Sequence, residues 1–448
     1  MAKLTDAAVA SFRRNGVSTS AALQRELGVG QATLSRAVTA LGERVIRIGG
    51  GRSTRYGLRR ELPKIGSSWP LFCISAQGEP ALLGRLHALS RDQYWLDAAI
   101  GKYPQLSDGR PFFLQDLVPQ GFIGRTVPRR FPELGLPERI TDWNDDHVLA
   151  YLCQRGEDCV GNLMLGDESL QRFLKQFGAA QTRLIDSKAR PREYPLLADA
   201  AISGTVPGSS AGGEHPKFTT SIREGRATRH VLVKFSPGGD DRIAQRWADL
   251  LTCEHLATHV LNRANLTPAT TELLVSGGRT FLEAERFDRT GVRGRTGLVS
   301  LAALANEYLG RRDSWISATG SLATLGVISR PDAETVRRIA TFGQLIANTD
   351  MHFGNLSFRL SFDGPLTLAP VYDMLPMLYA PLAGGTLTSH EFEPPLPTGD
   401  NLDIWKEMVG IAQTYWLEVA NHDAISAGFA AHAKRNADRI AEAKKLAT

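Results

Sequence analysis

The polar segment NTDMHFGN (348–355) is followed after a short interval by APVYD (369–373). Phosphoryl transfer from Mg-ATP uses a carboxylate that orients the attacking hydroxyl, a nearby amide oxygen, and a second carboxylate from the next loop. Asp350, Asn355 and Asp373 have this order, and the interval from Asp350 to Asn355 equals the one in protein kinases. The strings His-Arg-Asp and Asp-Phe-Gly are absent from the sequence. The segment therefore predicts either a distant kinase-like fold or a polar turn, since turns favour Asn, Asp and Gly.

Two upstream segments supply candidates for the other groups that a kinase needs. HVLVKF (230–235) is a short apolar strand pattern carrying one lysine, Lys234, which can hold the α- and β-phosphates of ATP. TFLEAERFD (280–288) has the pattern of a strand running into a polar turn, where backbone groups can pair with an adenine edge. Each has an ordinary alternative, because a solvent-facing lysine and an edge strand with a terminal salt bridge give the same patterns.

Five strings in chain order resemble those of the HipA-like kinases of bacterial toxin–antitoxin systems. Three of them are ERFDR (285–289), NTDMHFGN (348–355) and YD (372–373). GEDCVGNL (156–163) is similar to the family's Gly-x-Asp-Cys-Val-Gly-Ala segment, and SSAGGE (209–214) to its Ser-x-Ala-Gly-Ala-Gln loop. The resemblance runs from about Pro70 to the C-terminus, and five strings in the right order are specific where one alone is not.

The resemblance implies ATP and Mg²⁺ as cofactors and a role for each matching residue. Asp350 is implied as the catalytic base, and Asn355 and Asp373 as magnesium ligands. The implied nucleotide-binding residues are Ala211, Gly212, Gly213, Lys234, Glu285, Arg286, Phe287, His352, Asn355, Tyr372 and Asp373. The resemblance also implies that a serine of the loop is autophosphorylated, either Ser209 or the adjacent Ser210.

The chain departs from the family pattern at two places. After Gly213 it reads EHPK (214–217), which is longer than the family's Gln-Glu-Lys, so the residues that meet the phosphates are left open. On the helix predicted from Arg242 to Asn262, the acid that pairs with Lys234 is also open. Asp249 and Glu254 are both candidates, and either one fits a solvated helix face.

The N-terminal 64 residues account for the net positive charge of the chain. They contain twelve Lys and Arg against four Asp and Glu, a net charge of +8, whereas the whole chain has +5. The remaining residues therefore have a net charge of −3. A basic segment of this kind points to a polyanionic partner for that segment alone.

The same segment has the pattern of a winged helix-turn-helix. Helices are predicted at 4–15, 21–27 and 31–41, with a Gly-bearing turn at 28–30, and two short strands at 45–48 and 56–58 flank a Gly-rich tip. The predicted DNA-contacting residues lie early in the third helix and at the tip: Gln31, Thr33, Ser35, Arg36, Arg52 and Arg55. The alternative is a basic protein-docking module. The charge favours double-stranded DNA, and residues 61–68 have the composition of a linker.

Length and composition set the outer limits. A chain of 448 residues with 42% hydrophobic and 22% charged residues can bury its cores without disulfides, and two or three domains are expected. The four cysteines form no Cys-x-x-Cys pattern, which fits a reducing cytoplasm and argues against a zinc site. The sequence contains no Walker A string and no apolar run long enough for a signal peptide or a membrane span.

We predict an α+β protein in which a small winged helix-turn-helix domain precedes a two-lobed protein-kinase-like domain of the HipA type. The expected boundaries are 1–64 for the DNA-binding domain, 69–290 for the N-terminal lobe and 291–448 for a mostly α-helical C-terminal lobe. Within the N-terminal lobe, 69–190 forms an outer β-rich subdomain and 191–290 grips ATP.

The predicted activity is transfer of the ATP γ-phosphate to Ser or Thr of a protein. The resemblance implies that the substrate protein belongs to the translation machinery, for example an aminoacyl-tRNA synthetase. One alternative is a transcriptional regulator whose kinase-like domain senses a nucleotide or another ligand, and a second is a small-molecule kinase. The oligomeric state is open, with a homodimer as one alternative, and no membrane partner is expected.

Overall fold

The computed structural model of the protein describes residues 2–98, 105–178, 184–204, 215–382, 385–387 and 390–446. The N-terminal elements are α1 (Ala2–Asn15), β1 (Ser18–Thr19), α2 (Ser20–Leu27), α3 (Gln31–Leu41), β2 (Val45–Ile48) and β3 (Arg55–Leu58). Each helix and each wing strand lies within two residues of its predicted bounds. The strands form a sheet in the order β1-β3-β2.

Local signals explain where these helices begin and end. The backbone N–H of Ala22 donates to Thr19 Oγ1 at 3.2 Å, which caps the start of α2. Gly28 has φ 64°, a left-handed conformation that glycine enters without a Cβ clash, and it ends α2. Phe12, Leu23 and Leu34 are fully buried and join the three helices in one small core.

The next elements form a β-rich layer. They are β4 (Ser68–Ile74), β5 (Pro80–Leu89), β6 (Gln93–Asp97), β7 (Leu106–Asp108), α4 (Gly121–Gly124), α5 (Val127–Arg130), α6 (Asp145–Arg155), β8 (Leu163–Leu165) and α7 (Asp167–Gly178). The strands make an antiparallel sheet in the order β7-β6-β5-β4-β8. A reciprocal pair of hydrogen bonds between Asn144 and His147, at 3.0 and 3.2 Å, forms a capping box that starts α6.

A second five-stranded sheet carries the predicted phosphate-gripping lysine. Its region comprises β9 (Leu184–Asp186), α8 (Arg190–Ile202), β10 (Lys217–Glu224), β11 (Ala227–Phe235), α9 (Arg242–Arg263), β12 (Thr271–Ser276) and β13 (Arg279–Glu285). The strand order is β12-β13-β11-β10-β9. Strands β10 and β11 form a hairpin around Gly225-Arg226, and the register sets Lys217 opposite Lys234.

The C-terminal part is mostly helical, as predicted. Its elements are β14 (Arg289–Thr290), β15 (Gly294–Arg295), β16 (Leu298–Ser300), α10 (Leu301–Tyr308), α11 (Trp315–Thr324), α12 (Arg330–Leu345), β17 (Ser357–Arg359), β18 (Thr367–Leu368), α13 (Leu402–Asn421) and α14 (Ala427–Leu446). Trp405 and Trp416 of α13 are almost fully buried in the main hydrophobic core. Strands β17 and β18 pair as a short antiparallel hairpin between Asn355 and Asp373.

The linker predicted at 61–68 is wrong. Leu62 is 3% exposed and belongs to the main hydrophobic core, and its N–H donates to the carbonyl of Gly66 at 2.9 Å. A tight packed turn therefore replaces the expected tether. Composition alone misled the prediction, since Gly, Pro and Ser suit an open linker and a buried turn equally well.

The N-terminal module packs directly on the β-rich layer. Ser90 Oγ donates to the carbonyl of Phe12 at 2.9 Å, and the N–H of Val17 donates to Gln93 Oε1 at 2.6 Å. Arg60 forms two hydrogen bonds with the Asp146 carboxylate, at 2.7 and 2.8 Å. These contacts fix the orientation of the module on the layer.

Among the described residues, no helix combines the length and apolar character that crossing a membrane requires.

Candidate active site

The loop after α12 holds the first three candidate residues. Helix α12 ends at Leu345, and Ala347 turns the chain with φ 59°. The Asn355 side-chain Nδ2 then donates to the carbonyl of Asp350 at 2.9 Å. This bond closes the loop. It uses the Nδ2 atom of the Asn355 amide and does not use the Oδ1 atom. The Asp350 carboxylate is exposed, as a group that meets a substrate must be.

Asn348 connects this loop to the loop that carries Asp373. Its Oδ1 accepts the Asp350 N–H at 3.1 Å, and its Nδ2 donates to the carbonyl of Asp373 at 3.1 Å. Asp373 has φ 57°, an uncommon left-handed conformation for a residue with a side chain. One buried amide thus sets the relative positions of the two carboxylate-bearing loops.

Lys234 lies between two carboxylates. Its Nζ donates to Glu254 Oε1 and Oε2, each at 2.7 Å, and also contacts Asp373 Oδ1. Lys234 is 6% exposed and Glu254 is 2% exposed, so the pair is shielded from solvent. Strand β11, helix α9 and the loop after β18 therefore meet at one cluster of charges.

Asp249, the other candidate partner of Lys234, has a different role. Its carboxylate accepts the Ser426 N–H at 2.8 Å and the Ser426 Oγ–H at 2.7 Å. These bonds attach α9 to the segment between α13 and α14. The structure therefore selects Glu254 as the partner that the sequence left open.

The charges in this cluster shift one another. Burial alone lowers the pKa of Lys234, but Asp373 and Glu254 outweigh burial and raise it above its ordinary value. Burial raises the pKa of Asp373, and Lys234 outweighs that effect and holds the pKa below its ordinary value. For Glu254 burial prevails over Lys234, so its pKa is raised. Lys234 and Asp373 are accordingly charged at neutral pH.

Asp350 has the opposite shift to Asp373. Desolvation raises the pKa of Asp350 and the Asp373 carboxylate adds to that rise, while His352 and Lys234 oppose it only in part. A carboxylate with a raised pKa is a better proton acceptor, because a general base works best when its pKa approaches the operating pH. A cavity of about 420 Å³ lies beside this carboxylate and is lined by Trp315, Ile316 and Gln344, among others.

The segment predicted to pair with adenine follows β13. The N–H of Glu285 donates to the carbonyl of Thr270 at 2.9 Å, and the N–H of Arg286 donates to the carbonyl of His230 at 2.8 Å. The Phe287 ring lies 5.9 Å from the Tyr372 ring, measured between centroids. This backbone is therefore held between neighbouring strands and faces the loop of Asp373.

The Arg286 and His352 side chains have structural contacts of their own. Arg286 donates from Nε and one terminal nitrogen to the Asp288 carboxylate, at 2.9 and 2.8 Å. His352 Nδ1 accepts the Gly354 N–H at 3.0 Å, and the His352 carbonyl accepts the Trp315 Nε1–H at 3.2 Å. His352 thus braces the loop, while its ring remains exposed beside Asp350.

Tyr372 supports the catalytic loop from behind. Its hydroxyl donates to the carbonyl of Gly354 at 2.9 Å and shares a hydrogen bond with Ser357 Oγ at 2.8 Å. The hydroxyl is thereby committed to the loop, which leaves the ring face as the part of Tyr372 that can meet a nucleotide.

The predicted Gly/Ser loop lies outside the described residues. This applies to Ser209, Ser210, Ala211, Gly212 and Gly213. The predictions for them stay predictions.

The predicted DNA-contacting residues lie in the N-terminal module. Gln31, Ser35 and Arg36 are exposed on α3, Thr33 is half-buried there, and Arg55 is exposed at the start of β3. Gln31 Oε1 accepts hydrogen bonds from Ser20 Oγ at 2.9 Å and Gln24 Nε2 at 2.5 Å, so part of its polar end is turned toward α2. The Arg52 side chain is outside the described part of the structure.

Sequence reasoning did not select Lys217, which the structure brings to the cluster. Lys217 is 3% exposed and lies opposite Lys234 on the neighbouring strand, so both side chains point to the same face of the sheet. Its positive charge also lowers the pKa of Asp373. The available signal was the hairpin register, since KFTTSIRE (217–224) pairs with ATRHVLVKF (227–235) around a two-residue turn.

The oxygen atoms of this site suit a magnesium ion. Mg²⁺ binds hard oxygen ligands and prefers few carboxylates together with phosphate oxygens. Asp373 supplies an ionised carboxylate, and Asn355 supplies an amide oxygen that is not used in its bond to Asp350. The donor set therefore fits the cofactor that the sequence implied.

Comparison with known proteins gives consistent likenesses. The chain matches the model of the HipA-like C-terminal domain over residues 209–445 and that of the YjjJ-like toxin middle domain over residues 65–174. It is 35% identical over 442 residues to Toxin YjjJ of Escherichia coli strain K12, covering 98% of this chain and 97% of that protein.

A solved structure also shares the fold. It is a Shewanella oneidensis MR-1 complex of the toxin–antitoxin proteins HipA and HipB with operator DNA. The match has a TM-score of 0.53 at 15% identity and covers 84% of this chain and 97% of that one. The predicted α+β, two-lobed, kinase-like fold is thereby confirmed.

Proposed function

Because the chain belongs to the HipA-like family, we propose that it is an ATP-dependent kinase that phosphorylates serine or threonine hydroxyls of a protein. One observation carries the proposal. Lys234 contacts both Glu254 and Asp373, while Asn348 ties the Asp373 loop to the Asp350 loop. A phosphate-gripping lysine, its helix acid, a metal-binding acid and a base are thus held together, as phosphoryl transfer requires.

Each residue of the site then has a proposed task. When bound, Mg-ATP would supply the transferable γ-phosphate, and its Mg²⁺ would neutralise the negative charge on the transferred group. Lys234 and Lys217 hold phosphate oxygens by charge, and Glu254 keeps Lys234 in place. Asp373 and Asn355 hold the metal through their oxygen atoms. Asp350 accepts the proton of the attacking hydroxyl, which its exposure and raised pKa support.

The adenine is proposed to lie along 285–287. The backbone there is fixed by its bonds to Thr270 and His230, so a purine edge meets groups in set positions. The neighbouring Phe287 and Tyr372 rings offer apolar faces to the purine. The cavity beside Asp350 is proposed to receive the acceptor segment, because its wall includes the base itself.

A DNA-binding role is proposed for residues 1–64. Exposed α3 side chains and an exposed Arg55 lie on a segment with net charge +8. The solved neighbour is a complex of HipA with HipB and operator DNA. We propose that here the chain contacts DNA itself and regulates its own expression, with the kinase domain beginning near residue 69 and its helical lobe near residue 291.

A growth-arresting activity in the cytoplasm follows from the proposal, in line with the name of the relative, Toxin YjjJ. The test is incubation of the full chain with γ-labelled ATP and Mg²⁺, alone and with a cell extract. Label on serine or threonine of extract proteins is the expected result. Label confined to small metabolites would indicate a small-molecule kinase, and nucleotide binding without any transfer would indicate a sensor.

A further inference from the structure

His215 stands at the edge of the charge cluster without a bonded partner. Both ring nitrogens are shielded from solvent, and neither makes a hydrogen bond to any described residue. The Phe235 backbone approaches the ring and favours its charged form, but outside hydrogen-bonding geometry. Buried polar atoms in folded proteins are almost always hydrogen-bonded, so two orphan nitrogens on one ring require an explanation.

His215 lies beside the two buried lysines of the β10–β11 hairpin. Pro216 accepts the Phe235 N–H at 3.2 Å, which extends the β10–β11 pairing back toward His215. Lys234 lies opposite Lys217 on the paired strands, so both lysine side chains share one face of the sheet. His215 lies in a bend two residues before β10, and the charges of Lys234 and Lys217 both act on its imidazole. The ring and the two lysine side chains therefore meet at one place beside the sheet.

Trp247 of α9 holds the ring from the other side. The centroids of the His215 and Trp247 rings are 4.5 Å apart, with the ring planes inclined at 51°. The charged groups that act on the ring are Lys234 of β11, Lys217 of β10 and Asp373 of the loop after β18. The imidazole is thus fixed in orientation, with a lysine pair beside it.

We propose that His215 is a nucleotide-binding residue whose neutral imidazole N–H donates to a phosphate oxygen of the bound nucleotide. Two buried lysines on the same face make this side of the sheet a site for a polyanion. In the nucleotide-free protein, burial together with those lysines lowers the pKa of His215 to about 3, so the free ring is neutral and carries one N–H donor. A phosphate oxygen supplies the missing partner and adds a contact that does not depend on net charge.

The inference rests on the proposed function and uses none of residues 205–214. It is tested on the full chain by titration calorimetry with ATP, tripolyphosphate and adenosine. His215→Asn and His215→Gln keep an N–H donor, whereas His215→Phe keeps the ring contact with Trp247 but has no donor. Because the Phe variant loses a hydrogen bond to a charged group, we expect it to bind ATP at least about tenfold more weakly than the wild type.

The expected result has three parts. The Phe variant loses affinity for ATP and tripolyphosphate, at least one of the amide variants retains most of it, and adenosine binds equally to all. If the Phe variant binds ATP like the wild type, or if adenosine binding falls in parallel with ATP binding, His215 only packs against Trp247 and the inference is overturned. If the wild type itself does not bind ATP, the proposed function fails first.

Discussion

Gly161 donates its backbone N–H to the Asp288 carboxylate at 3.0 Å, across 127 residues of sequence. The bond joins two strings that the sequence singled out separately, GEDCVGNL (156–163) and ERFDR (285–289). Asp288 also accepts hydrogen bonds from Arg286 and is paired with Arg289. Arg289 in turn donates to the carbonyl of Cys159 at 2.7 Å. The β-rich layer is therefore anchored to the turn that is proposed to meet adenine.

Asp288→Asn should strongly destabilise the fold. Asp288 is 4% exposed, and the substitution removes the buried negative charge that pairs with both Arg286 and Arg289. Breaking a buried ion pair in this way costs about 3–5 kcal/mol. Urea unfolding at neutral pH measures this loss, and Asp158→Asn is the matched control. Asp158 pairs with Arg289 at 3.4 Å but is half exposed, so its loss should cost less than about 1 kcal/mol.

The stability lost in Asp288→Asn should also depend on pH. Burial opposes the ionisation of Asp288, but Arg286 and Arg289 outweigh it and hold the pKa of Asp288 below its ordinary value. A depressed pKa means that the stabilisation is fully present above the unfolded pKa of about 3.9 and fades as pH falls through the folded one. The difference in unfolding free energy between wild type and Asp288→Asn should therefore shrink below about pH 4. An unchanged difference at pH 3 would contradict this account.

Asp350→Asn should abolish phosphoryl transfer while nucleotide affinity is retained. The carboxylate acts on the attacking hydroxyl in the transition state, and the nucleotide is held by other groups. A fall of about 10²-fold or more in kcat is expected, with the dissociation constant of ATP nearly unchanged. Asp363→Asn, an exposed acid between β17 and β18, is the matched control and should leave kcat unaltered. Turnover near that of the wild type in Asp350→Asn would remove the base assignment.

Glu254→Gln and Asp249→Asn separate the two acids of α9. Glu254 is bonded to Lys234, so its amide variant should lower phosphoryl transfer about tenfold or more, a change of at least about 1.4 kcal/mol. Asp249 is bonded to Ser426, so its amide variant should lower stability by about 1–3 kcal/mol without altering ATP affinity. Phosphoryl-transfer rates, thermal unfolding and ATP titration, measured on both variants, check the pair. The reverse pattern would mean that Asp249 is the partner of Lys234.

DNA binding should depend on N-terminal arginines and on salt. Arg36→Ala on α3 should relax the preference for particular DNA sequences, because that position reaches base edges in a helix-turn-helix. Arg55→Ala should weaken binding to all DNA sequences alike. Each lost phosphate contact lowers the salt slope of binding by about one. The full chain is required, because the Phe12 carbonyl and Val17 N–H are bonded to the β-rich layer. Arg226→Ala, at the exposed β10–β11 turn, is the control, and equal losses there would point to nonspecific charge.

The serine loop should become phosphorylated when the protein is incubated with Mg-ATP. A phosphate at Ser209 or Ser210 adds a charge of about −2 near groups proposed to hold the phosphates of ATP, so activity should fall as it accumulates. Mass spectrometry of the wild type should find the phosphate at one of these serines and at neither in Asp350→Asn. Phosphate only at distant residues would indicate an ordinary surface loop.

Several features of this protein are determined by sequence alone. Caps, glycines and apolar periodicity are local signals, so the bounds of α3 and β2 and the start of α9 at Arg242 follow from them. The spacing from Asp350 to Asn355 is equally local, because the bond between them closes within one loop. The family resemblance depends on such strings, and comparison with known proteins confirms it.

Tertiary structure decided the pairings between elements. Asp249 and Glu254 are five positions apart on α9, which places them about 140° apart around the helix axis. Only one of them can face Lys234, and which one depends on how α9 packs against β11. The burial of Leu62 and the meeting of Lys217 with Lys234 depend on distant segments in the same way. A residue's own sequence neighbourhood does not encode which surface will cover it, so these contacts required the folded chain.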